Sequence, residues 1–70
     1  LNEGHHVVHL NHGIALYRGL QLVDKDRDAG DAEEQLVLEF AEGAKLYVPV
    51  ARVDLVQKYV GGGKATPTLS

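Results

Sequence analysis

One segment of the chain alternates apolar and polar side chains more cleanly than any other. Leu46, Val48 and Val50 fall on one side of an extended backbone, and Lys45 and Tyr47 fall on the other. A period of two is typical of a β-strand with one buried face. The pattern predicts a strand from Lys45 to Val50, with the three aliphatic side chains in the core and Tyr47 outside.

The same kind of pattern predicts the remaining elements, separated by turns in which Asn and Gly accept a positive φ at low cost. The acid-rich stretch Asp24–Glu34 is expected to be an exposed loop. The other predicted elements are strands at His5–Leu10, Ile14–Asp24 and Gln35–Phe40, a helical turn at Ala51–Val53 and a closing segment at Asp54–Val60.

The predicted second strand is long and contains a glycine, Gly19, near its middle. Glycine inside a strand usually marks a bulge or a sharp bend, and a bent strand can join two walls of a small barrel. Strict alternation puts Ile14, Leu16, Leu20 and Leu22 on one face and Ala15, Tyr17, Gln21 and Val23 on the other. The chain is therefore expected to be all-β, a five-stranded antiparallel SH3-like or Tudor-like barrel with a short helical turn.

Composition narrows the possible functions. The net charge of −3 gives no basic field for nucleic acid, and no apolar run is long enough to cross a membrane. Without cysteine there is no disulfide and no thiolate metal site, which fits a reducing, cytoplasmic setting. We expect residues 1–61 to form the domain and residues 62–70 a flexible tail or linker, within a piece of a longer protein.

Four histidines, His5, His6, His9 and His12, raise the possibility of a metal site. Strand alternation separates them, since two share a face, one lies opposite and one is in a turn. No carboxylate stands at a spacing that would complete a site, so the interpretation we favour is histidines at a strand edge and in a turn.

Two further motifs match known sites only in part. The run Asp24, Asp26, Asp28 resembles the start of a calcium loop, but Ala29 and Gln35 occupy the positions that need Gly and Glu. The segment Gly61–Lys64 lacks the spacing and the hydroxyl residue of a phosphate loop. No nucleophile, base and acid combine, so we expect neither catalysis nor a cofactor in this segment.

Recognition of another protein through the surface is the class of function that these considerations leave. Alternation leaves two apolar side chains outside, Val23 on the second strand and Tyr47 on the fourth. An aromatic ring with a polar tip suits an interface, and open strand edges accept a partner strand. Isolated apolar side chains are nevertheless common on protein surfaces.

Over about Gly4 to Gly61 the sequence closely resembles the RNA-polymerase-interacting domain of bacterial transcription-repair coupling factors, which is shared in looser form with CarD-type regulators. The run Lys45–Val50 favours the coupling factors. The residues that carry the resemblance are Val7–Ile14, Tyr17, Gly19–Leu20, Leu36–Phe40, Lys45–Val50, Leu55–Val56 and Tyr59–Gly61.

The resemblance implies a Tudor-like barrel that adds its edge to a strand of the RNA polymerase β subunit. The contact positions of the family match Val23 and Tyr47, flanked by Gln21, Leu22 and Lys45, of which Leu22 is expected to face inwards. The whole protein would be an ATP-driven DNA translocase acting in DNA repair, with DNA bound only by its other domains.

The family usually has Gly and Arg where this chain has Ala15 and Leu16, which leaves no basic side chain at that place. A free-standing CarD-like regulator and a small nucleic-acid-binding barrel are the alternatives that the sequence leaves open.

Overall fold

A computed structural model describes all 70 residues, and they form one five-stranded antiparallel sheet in the order β4-β3-β2-β1-β5. The all-β prediction is confirmed, and no helix is long and apolar enough to cross a membrane. Two short 3₁₀ segments, Ala41–Gly43 and Val50–Leu55, precede and follow β4. The strands are β1 His6–His9, β2 Gly13–Asp26, β3 Asp31–Glu39, β4 Lys45–Pro49 and β5 Val56–Lys58.

The core lies on one face of the sheet and draws a side chain from every strand. Leu38 and Val7 are its largest fully enclosed side chains, and Phe40 and Leu46 pack against it from the rim. Because the chain is short, this one cluster supplies most of the apolar burial that folding can gain. The cluster consists of Val7, Ala15, Tyr17, Leu36, Leu38, Val48 and Val56.

A β-bulge at Gly19 changes the side on which the β2 side chains fall. Tyr17 pairs with Leu38 and Leu20 pairs with Leu36, so β2 holds one residue more than β3 over this interval. Gly19 has a φ of +96°, which its lack of a Cβ permits. The predicted bulge is thus present, but the uninterrupted alternation was wrong: Tyr17, Leu20 and Leu22 share the core-side face.

The predicted acidic loop is a hairpin. Both strands continue through it, β2 to Asp26 and β3 from Asp31, and the turn is only four residues long. The Asp26 carboxylate closes the turn by accepting hydrogen bonds from the backbone N–H groups of Asp28 and Ala29, at 3.1 and 3.3 Å. Polarity indicated solvent exposure correctly, yet it did not distinguish a loop from a solvated strand pair.

Two apolar side chains expected inside are exposed. Val50 leaves β4 and begins the second 3₁₀ segment, where its side chain is 43% exposed. Leu22 is on the core-side face by register but is 67% exposed, because the hairpin runs past the core. The helical turn predicted at Ala51–Val53 is present within a longer 3₁₀ segment.

The last residue returns to the sheet although residues 62–70 form no strand or helix. Ser70 donates its N–H to the Ile14 carbonyl, accepts from the Ile14 N–H through Oγ, and accepts from the Ala41 N–H through its carbonyl. These three bonds, 2.8 to 3.0 Å long, join the start of β2 to the 3₁₀ segment after β3. The flexibility expected of residues 62–70 stays a prediction.

Candidate protein-interaction face

The face of the sheet opposite the core, here called the outer face, contains Tyr47. Tyr47 pairs with Val37, which lies between two core-facing leucines of β3 and therefore points the other way. Val37 is 6% exposed but does not belong to the core cluster. Tyr47 is 42% exposed, as alternation along β4 predicted.

Gln21 and Val23 lie on the outer face as well. Gln21 pairs with Gln35 and Val23 pairs with Glu33, and both partners have the same parity on β3 as Val37. Four of the five residues chosen from the sequence, Gln21, Val23, Lys45 and Tyr47, therefore share one side of the sheet. The fifth, Leu22, lies on the other side.

The two apolar positions are on the same face but not in contact. Their β3 partners, Val37 and Glu33, are four residues apart, which corresponds to about 13 Å along a strand. Tyr47 is on β4 and Val23 on β2, so the width of two strand spacings, about 10 Å, also separates them. A partner that touches both must span this distance.

Strands beside the outer face lack a neighbouring strand at two places. β4 is an edge strand, so one row of its backbone N–H and C=O groups has no neighbouring strand. β1 pairs with β2 only as far as Leu16, and β4 pairs with β3 only as far as Gln35. Beyond these points the β2–β3 hairpin is a two-stranded ribbon, consistent with the 48 Å long axis of the molecule.

Ion pairs stand at both ends of the outer face. Arg18 Nε is 2.9 Å from a Glu39 oxygen, and Lys25 Nζ is 2.8 Å from a Glu33 oxygen. The hydrogen bond to Glu33 raises the pKa of Lys25, and the same bond lowers the pKa of Glu33. The charges beside Val23 are therefore largely compensated within the face.

Sequence reasoning missed two buried members of the outer face, Gln35 and Val37. The signal was present, since Leu36, Val37 and Leu38 form an uninterrupted apolar run that strict alternation does not explain. Such a run indicates a strand covered on both sides. Val37 is accordingly buried although it points away from the core cluster.

Two of the four histidines lie at the connection between the first two strands: His9 ends β1 and His12 is in the β1–β2 turn. His9 is buried and its Nδ1 accepts a 3.1 Å hydrogen bond from the Asn11 N–H. Burial, and then the nearby His12, lower the pKa of His9. The His9 and His12 ring centroids are 4.8 Å apart, and no three His, Cys, Asp or Glu side chains come together as metal ligands would.

Comparison with known proteins places the chain in a family. Residues 1–60 match the family described as the CarD-like/TRCF RID domain. The chain is 42% identical over 69 residues to the transcription-repair-coupling factor of Haemophilus influenzae, and 41% and 39% identical over the same length to those of Bacillus subtilis and Escherichia coli. Each alignment covers 99% of this chain but only 6% of the relative.

Proposed function

The chain belongs to the CarD-like/TRCF RID domain family, and we propose that it is a protein-interaction module that binds the β subunit of RNA polymerase by strand addition. The proposed contact surface is the outer face together with the free edge of β4. The binding residues are Val23 and Tyr47, flanked by Gln21 and Lys45. Leu22, whose side chain points away, contributes through its backbone.

One observation carries the proposal: Tyr47 is an exposed aromatic residue on the edge strand of the sheet. An incoming strand that pairs with β4 gains backbone hydrogen bonds without competing with an existing neighbour. The Tyr47 ring stands beside that edge, where an aromatic side chain with a hydroxyl suits a contact that is partly apolar and partly wet.

The width of the sheet decides how the partner reaches Val23. A strand added to β4 lies about 5 Å beyond it and so about 14 Å from β2. The added strand alone therefore does not touch Val23. We infer that a second part of the partner extends across the outer face towards the hairpin.

Pull-down of an RNA polymerase β fragment by this domain tests the proposal. Val23→Arg and Tyr47→Glu are expected to lower binding at least about tenfold, because each places a charge in a contact that excludes water. Val60→Arg is the matched control, since Val60 is 85% exposed and lies beyond β5, away from the outer face.

Circular dichroism of each variant is expected to show that the fold is kept, because Tyr47 is exposed and Val23 is half-buried on the outer face. Normal binding by both folded variants would show that the outer face is not the contact. Loss of binding in Val60→Arg alone would move the contact to the end of β5.

By likeness to the coupling factors, we propose that the longer protein is an ATP-driven DNA translocase in transcription-repair coupling. We also propose that it is located in the cytoplasm and that the present domain is itself non-enzymatic. The relatives compared all have that name, which favours this assignment over a free-standing CarD-like regulator. ATPase motifs encoded downstream of residue 70, and DNA-stimulated ATP hydrolysis by the full protein, would support it. Their absence would favour the regulator.

Nucleic-acid binding by the domain itself is disfavoured by its charge. Phosphate binding requires a cationic stripe, whereas the chain has ten acidic against seven basic side chains. A salt-dependent mobility shift of duplex DNA by the isolated domain would restore that alternative.

A further inference from the structure

The projecting hairpin has a second side that the proposed contact does not use. By register, Leu20, Leu22 and Asp24 of β2 face the same way as Ala32 and Glu34 of β3. This surface, here called the core-side hairpin face, continues the side of the sheet on which the core lies. It is opposite the side that presents Val23.

The core-side hairpin face is apolar at its base and has no cover. Leu20 is 56% exposed and Leu22 is 67% exposed, although Leu36, paired with Leu20, is buried. The reason is that β1 pairs with β2 only as far as Leu16, so no strand flanks β2 at Leu20 and Leu22, and β4 ends before the level of Leu22. Two neighbouring exposed leucines on one face of a strand form an apolar patch on which a partner can pack.

The acidic excess of the molecule is concentrated on the same hairpin. Residues 20–34 contain six acidic and two basic side chains, a net charge of −4, whereas the rest of the chain contains five basic and four acidic ones, a net charge of +1. On the outer face the carboxylate of Glu33 is paired with Lys25. On the core-side hairpin face, Asp24 and Glu34 make no ion pair.

We propose that the core-side hairpin face docks a basic protein segment. The segment places one or two aliphatic or aromatic side chains on Leu20 and Leu22 and Lys or Arg side chains against Asp24 and Glu34. Charge complementarity selects this occupant. A second copy of the domain would bring another hairpin of net charge −4, and nucleic acid or an anionic membrane would be repelled.

The probe is a seven-residue capped peptide that alternates Lys with Val or Leu, titrated into the ¹⁵N-labelled domain at low salt. Backbone amide shifts are expected to concentrate on Leu20–Asp24 and Ala32–Glu34. Two control peptides separate the contributions: one replaces Lys by Glu, and the other replaces Val and Leu by Ser. Neither control is expected to bind, because each lacks one of the two matching features.

Variants of the domain locate the contact. The double variant Leu20→Ser/Leu22→Ser is expected to weaken peptide binding about tenfold, and Asp24→Asn/Glu34→Gln about threefold with a flatter salt dependence. Val23→Ser, on the opposite side of the same hairpin, is the matched control and is expected to change affinity less than about twofold. All of these side chains are exposed or half-buried on the hairpin, so the fold is expected to survive.

Three outcomes would overturn the proposal: shifts confined to other residues, equal binding of the Ser-substituted peptide, or a Val23→Ser effect as large as that of the leucine variant. If the domain dimerised with increasing concentration and Leu20→Ser/Leu22→Ser abolished the dimer, the partner of this face would be a second copy of the domain rather than a basic segment. Because polymerase binding is tested with the opposite face, either proposal can fail without the other.

Discussion

The two halves of the β2–β3 pair are formed by the same two strands but lie in different surroundings. The near half, before Gly19, is flanked by β1 and β4 and contains Tyr17 and Leu38 in the core. The far half exposes Leu20 and Leu22, and beyond Gln21 and Gln35 it is a two-stranded ribbon. The near half stabilises the fold, and the far half offers two exposed faces that folding does not require.

The difference shows how a 70-residue chain can combine a stable core with a recognition surface. An isolated two-stranded hairpin is marginal in water, so the far half depends on the near half for its order. The far half presents side chains on both faces of the hairpin, and these side chains do not disturb the core. Within β2 and β3, substitutions should therefore affect mainly stability in the near half and mainly binding in the two-stranded ribbon.

The largest expected effect is in the near half. Leu38→Ala should lower the free energy of unfolding by about 3 kcal/mol, because it leaves a cavity at a side chain that is fully enclosed. A domain of this size has a total stability of only about 4–10 kcal/mol. Urea denaturation followed by circular dichroism measures the change.

Leu22→Ala is the paired substitution in the far half and should change the free energy of unfolding by less than about 0.5 kcal/mol. Equal losses from the Leu38 and Leu22 variants would contradict the division between the two halves.

The next largest effect is expected at Gly19, the junction between the two halves. Gly19→Ala should cost about 1–2 kcal/mol, chiefly because the residue has a φ of +96°, whereas the Glu3 carboxylate that an added Cβ would meet is the end of a flexible side chain and can move away. Removing the collision with Glu3→Ala in the same chain should recover only part of the loss. Full recovery would show that the strained φ contributes nothing.

A smaller, pH-dependent effect is expected from His9 in the near half. Its lowered pKa means that the unfolded chain binds the proton more readily than the folded one. The stability that neutral His9 contributes is therefore present above about pH 6.5 and is lost as pH falls through its folded pKa. Protonation of Nδ1 would also remove the bond from the Asn11 N–H.

Urea midpoints measured between pH 7.5 and 5 should fall, and the NMR titration of His9 should lie below that of a free histidine. A midpoint that is constant over this range, above the titration of ordinary carboxylates, would contradict the assignment.

The smallest effect is expected from the ion pair on the far half. Glu33→Gln removes the partner of Lys25, but both side chains are solvated, and exposed pairs of this kind add little to stability. The urea midpoint should stay within error, while the pKa of Lys25 should return towards that of a free lysine. A clear loss of stability would mean that the hairpin contributes to the fold.

The local pattern of residues was enough to predict the fold class, the turn between the first two strands and the outward direction of Tyr47, because a period of two between turn residues is a local property of the backbone. It also indicated the bulge at Gly19 and the core position of Val48.

The facing of side chains beyond Gly19 and the burial of apolar residues depend on tertiary structure. The one-residue shift at Gly19 reverses every side chain beyond it relative to strict alternation from Ile14, and so places Leu22 on the same face as Tyr17. Whether an apolar side chain is then buried depends on which strands extend far enough to cover it. Leu22 and Val50 have the pattern of core residues and are exposed, because no neighbouring element reaches them.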